Sequence, residues 1–217
     1  MPIDYTKRPA APQPAAGGGP VSLTKLSLTK DRPSVSLTKG AGAAGRMRVT
    51  LTWEAGGGGG GLFRKVKPID LDLACLWELT DGRKGVVQAL GNAFGSLTSP
   101  PYVELDGDDR SGTGAGETIT VNLDHLGELR RVLVFAYIYA GTPAWDRANA
   151  VVTLHPVGAA PIEVRLDEHS GARMVALALL EGGSQLTVRR EVRYVEGSQR
   201  QLDEAYGWGL DWTPGRK

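Results

Sequence analysis

The 217-residue chain reads as an all-β protein. It predicts an antiparallel β-sandwich of about ten strands, with a short C-terminal helix and a disordered basic N-terminal arm. Three observations carry this. Short segments alternate apolar and polar residues at the period of a strand. Turn-forming residues separate them: Gly141-Thr-Pro143, Pro156-Val-Gly158, Ser170-Gly171 and Gly182-Gly183. Helical patterning is confined to 198–206, where Ser198 and Gln201 stand at capping-box spacing.

Residues 1–20 are rich in Pro, Ala and Gly and bury little, which predicts disorder. An internal repeat follows: Val21-Ser-Leu-Thr-Lys25, Leu26-Ser-Leu-Thr-Lys30 and Val35-Ser-Leu-Thr-Lys39. Each copy alternates like a strand but is too short to bury much alone. Two readings stand, edge strands that add to the body or to a partner, and an unstructured arm, the latter for the first two copies above all. Gly40-Ala-Gly-Ala-Ala-Gly45 reads as a hinge. The expected division is a mostly disordered arm, 1–45, and a folded sandwich domain, 46–217. A chain shortened to Ser34 is expected to keep its melting temperature within a few degrees.

The body opens with the alternating segment 47–53, then six glycines at 56–61. These lack the Lys-Ser/Thr of a phosphate loop and open no helix, so they read as a flexible loop. In the strand 69–79, Ile69, Leu71, Leu73, Cys75, Trp77 and Leu79 share one face. Asp70 and Asp72 then project together from the other, ~7 Å apart. Thr80-Asp-Gly-Arg83 is a tight turn leading into 86–90. Further strands are expected at 102–105, 117–123, 129–140, 150–155, 162–166, 173–180 and 185–195. The aromatic tail (Tyr206, Trp208, Trp212) is expected to pack the helix back onto the sandwich.

Net charge is +1, but residues 1–68 hold eleven Lys/Arg against three Asp/Glu and the remainder fourteen against twenty-one. A basic arm on an acidic body suggests separate tasks for the two. Cys75 is the only cysteine, which excludes an intramolecular disulfide and a cysteine-based zinc site. The N-terminus has no apolar core of signal-peptide length, and the longest apolar run, 132–140, is too short to cross a bilayer. A soluble, cytoplasmic protein is expected.

The stretch of most chemical interest is Glu104-Leu-Asp-Gly-Asp-Asp-Arg-Ser-Gly-Thr-Gly-Ala-Gly-Glu117. Asp106, Asp108, Asp109 and Glu117 stand in a Gly-rich loop with hydroxyls at Ser111 and Thr113. A hard cation such as Ca²⁺ takes roughly six to eight oxygen ligands, and Gly lets the backbone curl around it. The loop is not an EF-hand: Arg110 and Ser111 stand where that motif places a ligand and its Gly, and the flanks are strands. It is an acidic loop between two strands, either a solvated loop or half of a metal site with Asp70 and Asp72.

The Val-Ser-Leu-Thr-Lys repeats, Asp70-Leu-Asp72 on a strand and Gly107-Asp-Asp-Arg-Ser-Gly-Thr-Gly114 together resemble the TerD-type tellurium-resistance family. The likeness runs from about residue 35 to residue 195. Within the family the chain looks most like the TerA-type branch, on its Pro/Gly-rich leader, the segment Asp81-Gly-Arg-Lys-Gly-Val-Val-Gln-Ala-Leu-Gly91 and its Trp-rich tail. The resemblance implies a bacterial tellurite and general stress-resistance role, a β-sandwich and Ca²⁺ held by Asp70, Asp72, Asp108, Asp109 and Glu117. The acidic run of the family is shortened here to Gly114-Ala-Gly-Glu117, which leaves one or two Ca²⁺ positions open.

Three functions are weighed. The first is a non-catalytic Ca²⁺-binding module that works by calcium-dependent association with other proteins of a stress-resistance complex. The second is a peripheral module docking on anionic membrane, or on a partner, through the basic arm. The third is an enzyme. Against it, His125, His155 and His169 lack metal-ligand spacing, no Gly-x-Ser-x-Gly elbow is present, and periodicity points Cys75 into the core. Scattered Lys/Arg with few aromatics give no basis for specific nucleic-acid recognition.

Overall fold

The computed structural model describes residues 24–54, 69–106, 116–141 and 143–213. The first three residues of the first repeat, the six-glycine run, Asp108 and Asp109 lie outside them. The described chain forms thirteen strands. They are β1 (Leu26–Ser27), β2 (Ser34–Leu37), β3 (Arg46–Thr52), β4 (Asp70–Leu79), β5 (Lys84–Val87), β6 (Gly95–Ser96), β7 (Val103–Leu105), β8 (Glu117–Asn122), β9 (Leu129–Ala140), β10 (Ala150–His155), β11 (Ile162–Leu166), β12 (Met174–Glu181) and β13 (Leu186–Val195). One helix, α1 (Gln199–Tyr206), follows.

The strands form two sheets, one of seven strands ordered β1-β11-β10-β3-β8-β7-β6 and one of six ordered β2-β13-β12-β9-β4-β5. All pairings are antiparallel except β1 with β11. In the seven-stranded sheet burial alternates along β3 and β10, so one face meets the core and the other stays polar. Met47, Val49, Leu51, Ile119, Val121, Val152 and Leu154 supply that inner face and pack on Leu71, Leu73, Cys75, Val134 and Val188 of the other sheet.

The six-stranded sheet is buried on both faces, which explains the uninterrupted apolar runs in β9 and β12. Its outer face, with Ala74, Leu76, Leu133, Phe135 and Ala176, is covered by Leu202 of α1 and by Trp208. Gln201 caps the helix by accepting the Ser198 N–H at 2.9 Å. Gly207 ends it at a left-handed φ of 61°. Asp203 then ties down the tail, accepting the Gly209 and Leu210 N–H groups and the Trp212 indole at 2.6, 2.8 and 3.0 Å. The Arg131 guanidinium lies 3.8 Å over the Trp208 ring, a cation–π contact that holds the tail from the sheet side.

Two repeats of the arm belong to the sandwich. The second supplies β1 on the edge of the seven-stranded sheet, and the third supplies β2 on the edge of the six-stranded sheet. Leu28 and Leu37, the same position in each copy, are buried against the core. Lys25 pairs with Glu163 at 2.9 Å and Lys30 with Glu168 at 3.1 Å. The edge-strand reading thus holds for the second copy, which the unstructured reading had claimed, and a boundary at residue 45 separates β1 and β2 from the sheets they extend. No described helix is long and apolar enough to cross a membrane.

Candidate metal centre

The acidic loop springs from the β7–β8 hairpin, and the structure fixes both its feet. Leu105 pairs with Ile119, and the Asp106 N–H donates to Thr118 O at 3.0 Å. Gly116, with φ at +70°, lies so close to β3 that a Cβ would stand 2.1 Å from Leu51 O. Only glycine fits there. Next to it, the Trp53 indole donates to Ile69 O at 3.3 Å, which brings the end of β3 to the start of β4. The ends of β3, β4, β7 and β8 therefore meet at one end of the sandwich.

Glu117 opens β8 on the face it shares with Ile119 and Val121, so its carboxylate enters the space between the sheets and is only 3% exposed. There it accepts the backbone N–H of Leu73. That N–H is open to it because β5 pairs with β4 only from Cys75 to Glu78. Beyond Cys75 no described strand pairs with β4 on that edge, and a buried N–H needs an acceptor. Glu117 fills the place that a strand would take.

Asp72 precedes Leu73 and Asp70 begins the strand. Both lie on the outer face, opposite Leu71 and Leu73. This is the face that sequence alternation predicts for them, and there Asp72 is 2% exposed and stands across from Tyr137 of β9. Asp70 is half-buried, opposite Ala140, with a register irregularity between it and Leu71. Of the five expected ligands, Asp70, Asp72 and Glu117 stand at one end of β4, the aspartates on its outer face and Glu117 on its inner face. Asp108 and Asp109 lie outside the described residues.

Among the described residues no group of three or more His, Cys, Asp or Glu side chains is arranged to hold a metal by itself. The donor chemistry nonetheless fits a hard cation, because every candidate offers carboxylate oxygen and no imidazole or thiol lies among them. Cys75 faces the inter-sheet core, where burial pushes its thiol pKa up to about 12, too high for a thiolate ligand or nucleophile. The histidines stand apart from one another. His125 Nδ1 is 2.7 Å from Glu128, His155 Nε2 is 3.2 Å from Thr50 Oγ1 and His169 Nδ1 is 3.3 Å from Asp146.

No protein-family model matches the chain. It is 48% identical over 205 residues to the tellurium resistance protein TerA of Alcaligenes sp., covering 91% of this chain and 60% of that protein. The chain thus spans about three-fifths of that relative's length. Among solved structures it is similar to the crystal structure of SAV2460, a protein of unknown function. That likeness has a TM-score of 0.53 and 15% identity over 71% of this chain and 92% of the other, and it bears on the fold alone.

Proposed function

Since the chain belongs to the Ter family of tellurium-resistance proteins, as a TerA-like member, we propose that it is a non-catalytic calcium-binding module of a tellurite and stress-resistance system. On this reading it works in the cytoplasm by calcium-dependent association with other proteins of that system.

The observation that carries the proposal is the bond from Leu73 N–H to the buried Glu117 carboxylate. It ties one foot of the acidic loop to the strand that bears Asp70 and Asp72. Asp70, Asp72 and Glu117, with Asp108 and Asp109 of the loop, would hold Ca²⁺, and the ion would supply positive charge to these carboxylates. Glu117 positions the loop foot, and Gly116 sets that foot against β3. The partner surface is then the loop end in its ion-bound form. Catalysis has less support, since the lone thiol is buried and the histidines are dispersed. The basic arm is also a weaker docking device than its composition suggests, because Lys25 and Lys30 are engaged by Glu163 and Glu168.

The test is thermal unfolding in chelator and in Ca²⁺, with a pull-down from bacterial lysate under both conditions. Ligand-linked stabilisation of about 2.7 kcal/mol is expected at a hundredfold excess over Kd, with partners retained only in calcium. Equal melting and equal partner recovery in both conditions would count against the proposal.

A further inference from the structure

At the side of the sandwich far from β5 and β6, the edges of the two sheets enclose a cleft of about 310 Å³. One wall is the second repeat, which brings Ser27, Thr29 and Lys30. The other is β11 and the turn after it, with Arg190 of β13 at the back. The volume is at the lower end of the range for small-molecule sites.

Arg190 is the unusual member. Its side chain is only 10% exposed. A guanidinium carries five N–H donors, and the bond Arg190 makes is to Glu168 Oε1, at 3.3 Å. Glu168 is not a full partner either, since Lys30 holds the same oxygen at 3.1 Å. None of the Arg190 nitrogens is a sealed atom lacking a partner. The spare donors therefore look into the cleft.

The charges of the lining balance, so it is the geometry of Arg190 that favours an anion. Glu163 is held by Lys25 at 2.9 Å and faces Arg165 at 3.8 Å. Of the lining residues, Lys30, Arg165 and Arg190 stand against Glu163, Glu168 and Asp167, the last exposed at the rim, while Lys25 lies outside the lining and Glu163 Oε2 has no hydrogen-bond partner. A nine-tenths buried guanidinium with unused planar donors and hydroxyls beside it suits an oxygen anion that can accept two parallel bonds.

We propose that this cleft binds a small oxygen anion, a carboxylate or an inorganic oxyanion, on the guanidinium of Arg190, with the second Ser-Leu-Thr-Lys repeat as its outer wall. The site is separate from the candidate metal centre and does not depend on calcium. It assigns the repeat a task besides completing the sheet edge, since loss of the repeat opens the cleft.

Calorimetric titrations of the full chain in chelator, at constant ionic strength, use acetate, inorganic phosphate and tellurite as separate probes. One saturable site is expected for at least one of them, and the preferred probe tells carboxylate from inorganic oxyanion. Arg190→Gln should weaken binding by roughly tenfold or more, the scale of a charge-assisted pair. Because that change also strips Glu168 of a partner, Lys30→Gln serves as a second variant. Lys30 is 72% exposed, so the fold is retained while affinity drops several-fold. In the unaltered protein, the Arg190 Nε–H resonance should shift with the bound probe. No saturable heat with any probe, unchanged affinity in both variants, or an Arg190 resonance that stays still would overturn the proposal.

Discussion

Glu117 and Leu73 are joined across 44 residues and across the two sheets, the carboxylate of one accepting the backbone N–H of the other. This bond makes the loop foot part of the core rather than part of the surface. It also predicts a loss of stability in the absence of any ion. Glu117→Ala leaves a buried N–H without an acceptor, which costs about 1–3 kcal/mol. Urea unfolding in chelator should show that loss, and Glu117→Gln, which keeps an acceptor, should recover part of it. An unchanged midpoint in Glu117→Ala would mean the bond contributes nothing in solution.

The arm is integral from its second repeat onward. Removing residues 1–33 discards β1, the buried Leu28 and the ion pairs of Lys25 and Lys30. Burial of one leucine alone is worth about 1.5–3 kcal/mol. A chain starting at Ser34 should therefore melt several degrees lower, not within a few degrees as composition suggested. A chain starting at Val21 should melt like the whole. Equal melting of the two shortened chains would show β1 to be dispensable.

The C-terminal tail is held by one buried carboxylate. Asp203, 3% exposed, accepts two backbone N–H groups and an indole. Hydrogen bonds to a charged group are worth about 1.5–3 kcal/mol each, though not additively. Asp203→Ala should destabilise by at least ~3 kcal/mol and red-shift the tryptophan emission as Trp208 and Trp212 meet water. A blue or unchanged spectrum at native conditions would contradict this role.

Cys75 gives a pH signature. Its pKa rises from 9.0 to about 12 on folding, because burial disfavours the thiolate. Between those values the unfolded chain loses the proton and the folded chain keeps it, so stability should fall as pH rises through the window and be unaffected below it. Cys75→Ala should flatten the slope of unfolding free energy between pH 9 and pH 11. The native thiol should also resist a disulfide reagent at pH 8. Rapid labelling of the folded protein would show that the thiol is open to solvent.

The body of the fold was legible because its strands are long enough for period two to speak. The expected segments 117–123, 129–140, 150–155 and 162–166 match β8 to β11 within a residue. Where a segment is short, periodicity says little. β1 and β2 become strands because β11 and β13 offer open edges, which is a property of the assembled sheets. The expected strand 86–90 is displaced to Lys84–Val87 since Leu90–Asn92 closes a 3-10 turn. Alternation placed Asp72 on the face away from the core, as observed. It could not show that this face is itself packed, so the burial of Asp72 went unseen. Glu117 was recognisable as a carboxylate at the loop's end, but its partner is a main-chain N–H that no side-chain pattern records.

The central claim is that Asp72 and Glu117 serve an ion as well as the fold. Calorimetric titration of Ca²⁺ into the chelator-stripped full chain, in millimolar Mg²⁺, tests it most directly when run beside Asp72→Asn. Ca²⁺ accepts irregular multi-carboxylate coordination, whereas Mg²⁺ demands near-ideal octahedral geometry. The account predicts one dominant Ca²⁺ site of roughly micromolar to sub-millimolar affinity in the unaltered chain and no measurable site in Asp72→Asn, titrated where circular dichroism shows it folded. An absence of Ca²⁺ heat, its abolition by Mg²⁺, or an undiminished site in Asp72→Asn would contradict it.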